Sequence, residues 1–165
     1  MRSSKQLNAI ALDSEKTKDL IERLNDLLAN YQVFYTNVRG YHWNIKGDKF
    51  FELHIKFEEL YNDLFTKIDD VAERIVTLGG TPDHNYSDYL KVSEVKESGV
   101  VSDGFEGVHE IIDSFGKILK RERDILDLSD EAGDEGTNSM MSDFITEQEK
   151  TVWMYSAYVN KTTNN

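Results

Sequence analysis

Residues 49–82 have the sequence KFFELHIKFEELYNDLFTKIDDVAERIVTLGGTP. Apolar side chains recur at every third or fourth position through most of this segment, which is the period of an amphipathic α-helix. The members of this apolar stripe are Leu53, Phe57, Leu60, Leu64, Ile68, Val71, Ile75 and Leu78. The run Gly79-Gly80-Thr81-Pro82 is a strong helix breaker. The segment therefore predicts one long helix, from about Lys49 to Leu78, whose apolar stripe lies in a protein core.

The same helical period occurs in three further segments, at about 14–39, 104–128 and 137–159. Asp13 or Ser14 is a suitable N-cap for the first of them, and Gly40 is a suitable stop. Short links join helices one to two and three to four, whereas about twenty residues join helices two and three. Within this crossover, the sequence YSDYLKV at 86–92 is expected to form a short helix.

This connectivity predicts an all-α fold, a ferritin-like four-helix bundle with a short extra helix in the long crossover between helices two and three. A chain of 165 residues is long enough to bury a full core, so a single domain over 1–165 is expected. Short flexible tails are expected at about 1–12 and 160–165.

The composition restricts the function. The chain has 31 acidic and 19 basic residues, for a net charge of −12, and it has no cysteine. Disulfides and thiolate metal sites are therefore excluded. An acidic surface repels nucleic acid and anionic membranes and attracts cations. The first residues have no apolar stretch long enough for a signal peptide and no later segment is suited to span a bilayer, so a cytoplasmic location without membrane contact is expected.

Two other faces flank the apolar stripe of the second helix. One face carries charged residues at i,i+4 spacing, which predicts solvent exposure and three ion pairs: Glu52 with Lys56, Asp63 with Lys67, and Asp70 with Arg74. The other face mixes apolar and metal-ligating side chains: Phe51, His54, Ile55, Glu58, Tyr61, Phe65, Asp69, Ala72, Glu73 and Val76. A helix in an isolated bundle needs only one apolar stripe, so this mixed face predicts contact with another subunit.

The mixed face carries two pairs of metal-ligating residues. His54 and Glu58 are four residues apart, as are Asp69 and Glu73, so each pair can reach one ion. Glu58 and Asp69 are about 16 Å apart along a helix, so one chain cannot close all four on a single metal. Antiparallel two-fold pairing with the same helix of a second copy would bring the two pairs together. His42, in the predicted turn before this helix, can fold over the same end.

The stretches HWNIKGDKFFELHIKFEELY and DDVAERIVTLGGTP closely resemble the signature of the Dps family, the mini-ferritins. The resemblance covers nearly the whole chain, including DEGT and EKTVWMYSAY near its end. The ligand spacing of the family falls here on His42, His54, Glu58, Asp69 and Glu73. At Glu58 the family often has aspartate, so this chain keeps the charge on a longer side chain.

The resemblance implies a hollow shell of twelve identical subunits, with ferroxidase centres at its two-fold interfaces. Each centre would bind one or two iron ions between His42, His54 and Glu58 of one subunit and Asp69 and Glu73 of the other. The centres would oxidise Fe(II), commonly with hydrogen peroxide and otherwise with O2, and Fe(III) would be stored inside as a mineral. Because peroxide and Fe(II) are consumed together, such a shell would protect against oxidative damage.

The iron-entry pores of the family lie in the acidic region that follows the third helix. This makes Asp130, Asp134 and Glu135 candidate pore residues, and a solvated loop is the alternative. Trp43 is expected to pack beside the iron centre rather than to take part in redox chemistry.

Two histidines fall outside this scheme. His84, in the crossover, and His109, on the third long helix, are not expected to be ligands. Glu106-Gly-Val-His109 matches half of the ordinary ferritin di-iron pattern, but the chain has no second copy of it.

Two other functions compete with iron oxidation: compaction of nucleoid DNA, and a purely structural helical oligomer. Relatives that bind DNA commonly use lysine-rich tails, whereas the tails here offer only Arg2, Lys5 and Lys161. Neutralisation of phosphate supplies nearly all non-specific affinity for DNA, so DNA binding is expected to be weak or absent at physiological salt.

Overall fold

The structure, a computed structural model, describes residues 6–160. Its helices are α1 (Ser14–Asn44), α2 (Phe50–Thr77), α3 (Tyr86–Val92), α4 (Gly104–Ala132) and α5 (Glu135–Asn160). The four long helices form a bundle in which α1 packs against α2 and α4, and α4 packs against α5. The short α3 lies in the crossover between α2 and α4 and packs on α1. The predicted all-α bundle with a short extra helix is confirmed.

The core lies between the four long helices. The apolar stripe predicted for α2 is buried along its whole length, with Ile68 only partly buried. The ring of Phe34 on α1 packs edge-on against Phe115 on α4, with 5.0 Å between ring centroids. Burial of one such side chain contributes about 1.5–3 kcal/mol. The long helices are therefore stabilised mainly by tertiary packing of their apolar faces.

The first helix extends beyond the predicted stop. The Asp13 side chain accepts a hydrogen bond from the Glu15 N–H at 3.0 Å, which confirms Asp13 as the N-cap. Gly40, however, does not end α1, which continues to Asn44. A glycine inside a helix costs only about 1 kcal/mol. Burial of Tyr41 and His42 in the following turn outweighs that cost.

The hairpin between α4 and α5 turns at a glycine. Gly133 has φ +70°, in the left-handed region that glycine adopts at low cost. The next N–H, of Asp134, donates to the Ser129 carbonyl at 2.8 Å, so the end of α4 is closed by a Schellman motif. The helix α4 therefore ends about one turn later than the predicted end near residue 128, within the acidic region that was expected to follow it.

The face of α2 predicted to be solvent-exposed is partly covered, and two of its three predicted ion pairs are wrong. Lys67 is 4% exposed and bonds both Asp63 and Glu147 of α5 at 2.8 Å, so only this predicted pair forms. Arg74 instead pairs with Asp134 at 2.5 Å. The reason is that α5 runs beside this face, which a wheel of one helix does not show.

The third predicted pair, Glu52 with Lys56, is also replaced. Glu52 lies 3.6 Å from Lys49, and Lys56 lies 2.7 Å from Glu59, both at i,i+3 spacing. These exposed pairs contribute at most about 1 kcal/mol each, so exchanging partners has little effect on stability.

Residues 6–13, before α1, have a defined conformation. Residues 6–13 form a turn in which the Asn8 side chain donates to the Leu78 carbonyl at 3.3 Å. This part of the tail predicted at 1–12 therefore has a defined structure, whereas residues 1–5 and 161–165 lie outside the described residues. Between residues 6 and 160, no helix combines the length and apolar character needed to cross a bilayer.

Candidate metal centre

Two histidines meet where α1 ends and α2 begins. His42 lies in the last turn of α1, not in the loop as predicted, and His54 lies at the start of α2. The Nδ1 atom of His42 lies 2.7 Å from the His54 carbonyl oxygen, and the Nδ1 atom of His54 lies 2.8 Å from the His42 carbonyl oxygen. A carbonyl only accepts, so both Nδ1 atoms carry the proton. In the neutral form of each imidazole, the lone pair then lies on Nε2, where a metal ligand requires it.

Aromatic contacts hold the two imidazoles in place. Their rings are stacked, with 3.8 Å between centroids and 16° between planes. Phe50 stacks on His54 at 4.8 Å, and the ring of Tyr61 meets His42 edge-on at 5.3 Å. His42 is buried and His54 half-buried, so little rotation is left to either ring. The pair is therefore preorganised, which lowers the entropy lost on binding a metal.

The three candidate carboxylates are exposed on α2. Glu58 lies one turn after His54, and Asp69 and Glu73 follow further along the same face. Among residues 6–160, the carboxylates of these three residues make no hydrogen bond or ion pair. By contrast, Asp63 and Asp134 are paired with a base. Glu58, Asp69 and Glu73 are therefore free to ligate.

The candidate ligands of one chain do not form a complete metal site. Within the part of the chain that the structure describes, no three His, Asp or Glu side chains are grouped closely enough to hold a metal. Glu58 and Asp69 are separated by eleven helical residues, about 16 Å. The candidate ligands thus fall into two groups along the chain, which we name the histidine half-site (His42, His54 and Glu58) and the carboxylate half-site (Asp69 and Glu73).

Large apolar side chains surround these ligands on the mixed face of α2. Phe51 is 80% exposed and Phe65 is 61% exposed, and Ile55 and Val76 are also more than half exposed. Water contact with so much apolar surface is unfavourable, and such patches on a folded chain mark interaction sites. The face that carries both half-sites therefore has the character of a subunit interface.

The candidate pore residues have different surroundings. Asp130 and Glu135 are exposed at the turn between α4 and α5. Asp134 is only 3% exposed, and its carboxylate accepts hydrogen bonds from Arg74 and from the Thr137 N–H at the start of α5. Its contacts show that Asp134 caps a helix and pairs with the half-buried guanidinium of Arg74.

Neither remaining histidine lies at the centre. His84 is exposed in the crossover, and His109 is exposed on α4. Trp43 is 63% exposed and lies under the Arg39 guanidinium, whose carbon is 4.6 Å from the indole ring. The packing of Trp43 beside the iron centre stays a prediction.

Sequence reasoning missed a polar cluster inside the bundle. The Tyr31 hydroxyl donates to the buried Glu122 carboxylate, and the Gln148 amide donates to both, at 2.6 and 2.9 Å. Burial raises the pKa of Glu122 to about 7, although both hydrogen bonds oppose that rise. The sequence does contain a signal: Glu122 follows Leu119 and precedes Ile125 in the apolar spacing of α4.

The chain has clear relatives. The family model for the ferritin-like domain matches residues 21–164. The DNA protection during starvation protein of Porphyromonas gingivalis is 45% identical over 157 residues, covering 95% of this chain and 99% of that protein. An uncharacterised protein of Haemophilus influenzae is 54% identical over 149 residues, covering 90% of this chain and 93% of that one.

The fold has equally close counterparts among solved structures. The DPS protein from Vibrio cholerae O1, from a broad superfamily of ferritin-like diiron-carboxylate proteins, is 52% identical with a TM-score of 0.92. That match covers 96% of this chain and 99% of the other. Dps from Staphylococcus aureus is 35% identical with a TM-score of 0.82, covering 86% and 95%. The chain belongs to the Dps family, within the ferritin-like superfamily.

Proposed function

We propose that this protein oxidises Fe(II) at centres shared between two subunits and stores the Fe(III) inside a shell of twelve copies. Each centre combines the histidine half-site of one copy with the carboxylate half-site of a second copy. Fe(II) is the substrate, and hydrogen peroxide is the proposed oxidant. Family membership supports the assembly, and the separation of the two half-sites on α2 supports the sharing.

One observation carries this proposal: the reciprocal hydrogen bonds between His42 and His54. These bonds direct two Nε2 lone pairs away from the backbone, on a face that also carries unpaired carboxylates and exposed apolar side chains. The combination is typical of a metal centre that is completed by a second chain.

The donor set suits iron in both oxidation states. Imidazole nitrogen binds Fe(II) well, and carboxylate oxygens, as hard anionic donors, stabilise Fe(III). A centre with two imidazoles and three carboxylates therefore favours the oxidised product over the reduced substrate. Positions not taken by these five side chains remain available to the oxidant.

The route of iron into the shell is also part of the proposal. Asp130 and Glu135 are exposed acids at the hairpin between α4 and α5, where they can attract cations to an entry pore. Asp134 lies between them in sequence, but its carboxylate is committed to Arg74 and Thr137. We therefore assign cation attraction to Asp130 and Glu135, and pore shape to Asp134.

The test is an anaerobic titration of metal-free shells with Fe(II), followed by addition of hydrogen peroxide. Fe(III) absorbance and residual peroxide are recorded together. About two Fe(II) should be oxidised per peroxide, since peroxide accepts two electrons and each Fe(II) provides one. His54→Ala should lose the fast phase, and His109→Ala, a matched control on α4, should retain it. Oxidation no faster than in protein-free buffer would contradict the proposal.

Binding of DNA is the second candidate function, favoured by the name of the Porphyromonas gingivalis relative. We infer that it is weak here, since every copy carries a net charge of −12 and the tails offer few basic residues. A gel shift with metal-free shells at about 150 mM salt tests this inference. Retardation that disappears when residues 1–10 are deleted would establish DNA binding through the N-terminal tail.

A further inference from the structure

A chain of aromatic rings leads away from the proposed iron centre. The Tyr61 ring contacts the His42 imidazole edge-on, with 5.3 Å between centroids. The ring of Tyr35 on α1 meets Tyr61 edge-on, with 6.1 Å between centroids, and Phe65 lies 6.2 Å from Tyr35. Both tyrosines are half-buried. Tyr61 therefore contacts both the imidazole of His42, which we assign as an iron ligand, and the ring of Tyr35.

Tyr61 lies between the two half-sites on α2. It is three residues beyond Glu58 and eight residues before Asp69, or about 5 Å and 12 Å along the helix axis. Its ring is thus close to the proposed centre to which His42, His54 and Glu58 of the same chain contribute. It also faces the side on which the second copy would pack.

Trp43 is the other oxidisable ring near the centre, but its contacts differ. The Arg39 guanidinium carbon lies 4.6 Å from the Trp43 ring and 5.4 Å from the Tyr35 ring. A positive charge against a ring makes removal of an electron harder. Over the residues that the structure describes, Trp43 makes no ring contact with His42 or His54, and Arg39 does not lie over Tyr61. The geometry therefore favours Tyr61 as the ring that loses an electron first.

An additional electron donor matters because of the chemistry of peroxide. Reduction of hydrogen peroxide takes two electrons, whereas one Fe(II) provides only one. A centre that holds a single Fe(II) would otherwise release a hydroxyl radical. A phenol in contact with a ligand ring can provide the missing electron without leaving the centre.

We propose that Tyr61 is a redox-active residue that supplies the second electron to peroxide whenever a centre holds a single Fe(II). The O–O bond breaks, Fe(II) becomes Fe(III), and Tyr61 loses one electron and its phenolic proton. The products are one hydroxide, one water and a neutral tyrosyl radical. The inference rests on the proposed function, because it requires iron at His42.

The test uses assembled, metal-free shells loaded anaerobically with less than one Fe(II) per centre. One equivalent of hydrogen peroxide per Fe(II) is added, the sample is frozen rapidly, and both the Fe(III) and the organic radical signals are recorded by electron paramagnetic resonance. Tyr61→Phe keeps the ring that packs on His42 and removes only the phenolic hydroxyl. Trp43→Phe is the matched control beside the same centre.

We expect a tyrosyl signal in the wild-type shell, its loss in Tyr61→Phe, and its retention in Trp43→Phe. A hydroxyl-radical spin trap should detect more adduct in Tyr61→Phe than in the wild type. Fe(III) formation without a tyrosyl signal, or an unchanged signal in Tyr61→Phe, would overturn the role of Tyr61 and leave the proposed function intact. An absence of Fe(III) formation in the wild type would overturn both.

Discussion

The side chains of His42 and His54 each donate a hydrogen bond to the backbone carbonyl of the other residue, at 2.7 and 2.8 Å. Their rings also stack at 3.8 Å, so the two contacts form one cooperative unit that closes the hairpin between α1 and α2. The same unit sets the tautomer of both imidazoles. Stability of the hairpin and readiness to bind metal therefore depend on the same atoms.

This reciprocity predicts that the two histidines are energetically coupled. In a double-mutant cycle of His42→Ala, His54→Ala and the double variant, the metal-free free energies of unfolding should show a coupling of about 1 kcal/mol or more. The reason is that either single change removes the shared stack. Denaturant unfolding at a fixed protein concentration gives the values. Additive effects would mean that the two rings act independently.

Adjacent aspartates on α2 should differ in function. Asp69 is exposed on the mixed face, whereas Asp70 is half-buried on the side toward α5. Asp69→Asn should abolish fast Fe(II) oxidation, because an amide is a much poorer ligand for Fe(III). Asp70→Asn should leave the oxidation rate unchanged and alter stability by no more than about 0.5 kcal/mol. Stopped-flow absorbance compares the two, and equal losses of rate would show that the faces of α2 are assigned incorrectly.

The buried Glu122 predicts a dependence of stability on pH. Burial raises its pKa from 4.5 to about 7, so the folded chain keeps this proton between about pH 5 and 7 while the unfolded chain loses it. The stabilisation is fully present below the unfolded pKa and is lost as the pH rises toward 7. The free energy of unfolding should therefore fall by about 2 kcal/mol over this range because of Glu122.

Glu122→Gln should remove that contribution. The amide cannot ionise, and its carbonyl oxygen can still accept from Tyr31 and Gln148. Denaturant unfolding of both proteins at several pH values isolates the effect as the difference between the two curves. Glu149→Gln, an exposed partner of Arg123, is the matched control on a neighbouring helix. Parallel curves for wild type and Glu122→Gln would refute the assignment.

The acids at the hairpin between α4 and α5 should separate into two roles. Asp134→Ala leaves Arg74 half-buried without its partner and removes the cap of α5, so stability should fall by about 3 kcal/mol. Asp130→Asn with Glu135→Gln should leave stability nearly unchanged and slow iron uptake, most strongly at low salt. Unfolding curves and uptake rates check the two expectations. A stable Asp134→Ala protein would mean that the ion pair with Arg74 contributes little.

Much of the fold could be predicted from the sequence because helical period is a local property. The stripe from Leu53 to Leu78, and the break at Gly79, contain the information that defines α2. The predictions that were wrong concern features that depend on contacts with other helices. Gly40 has the composition of a helix stop, yet buried Tyr41 and His42 hold the next turn in place. Lys67 and Arg74 fall on the polar side of a wheel that does not show α5.

Some features of the candidate site could likewise be predicted from local sequence, and others depend on contacts between helices. Residue spacing alone brought His54 and Glu58 onto one face and separated Asp69 from Asp70. The position of His42 within α1, and the proton on each Nδ1, could not be predicted, because both depend on how two helices meet. The burial of Glu122 could have been suspected from its place in an apolar stripe.

The central claim is that each iron centre takes ligands from two subunits, and mixed shells test it most directly. His54→Ala and Asp69→Ala subunits should each be inactive alone, since each lacks one half-site. In shells assembled from equal amounts of both, every mixed interface regenerates one intact centre and one doubly defective centre. Random assembly should therefore restore roughly a quarter of the wild-type number of active centres. If the two variants co-assemble, as shown by mass spectrometry of intact shells, and fast Fe(II) oxidation is still not restored, the two-subunit centre is contradicted.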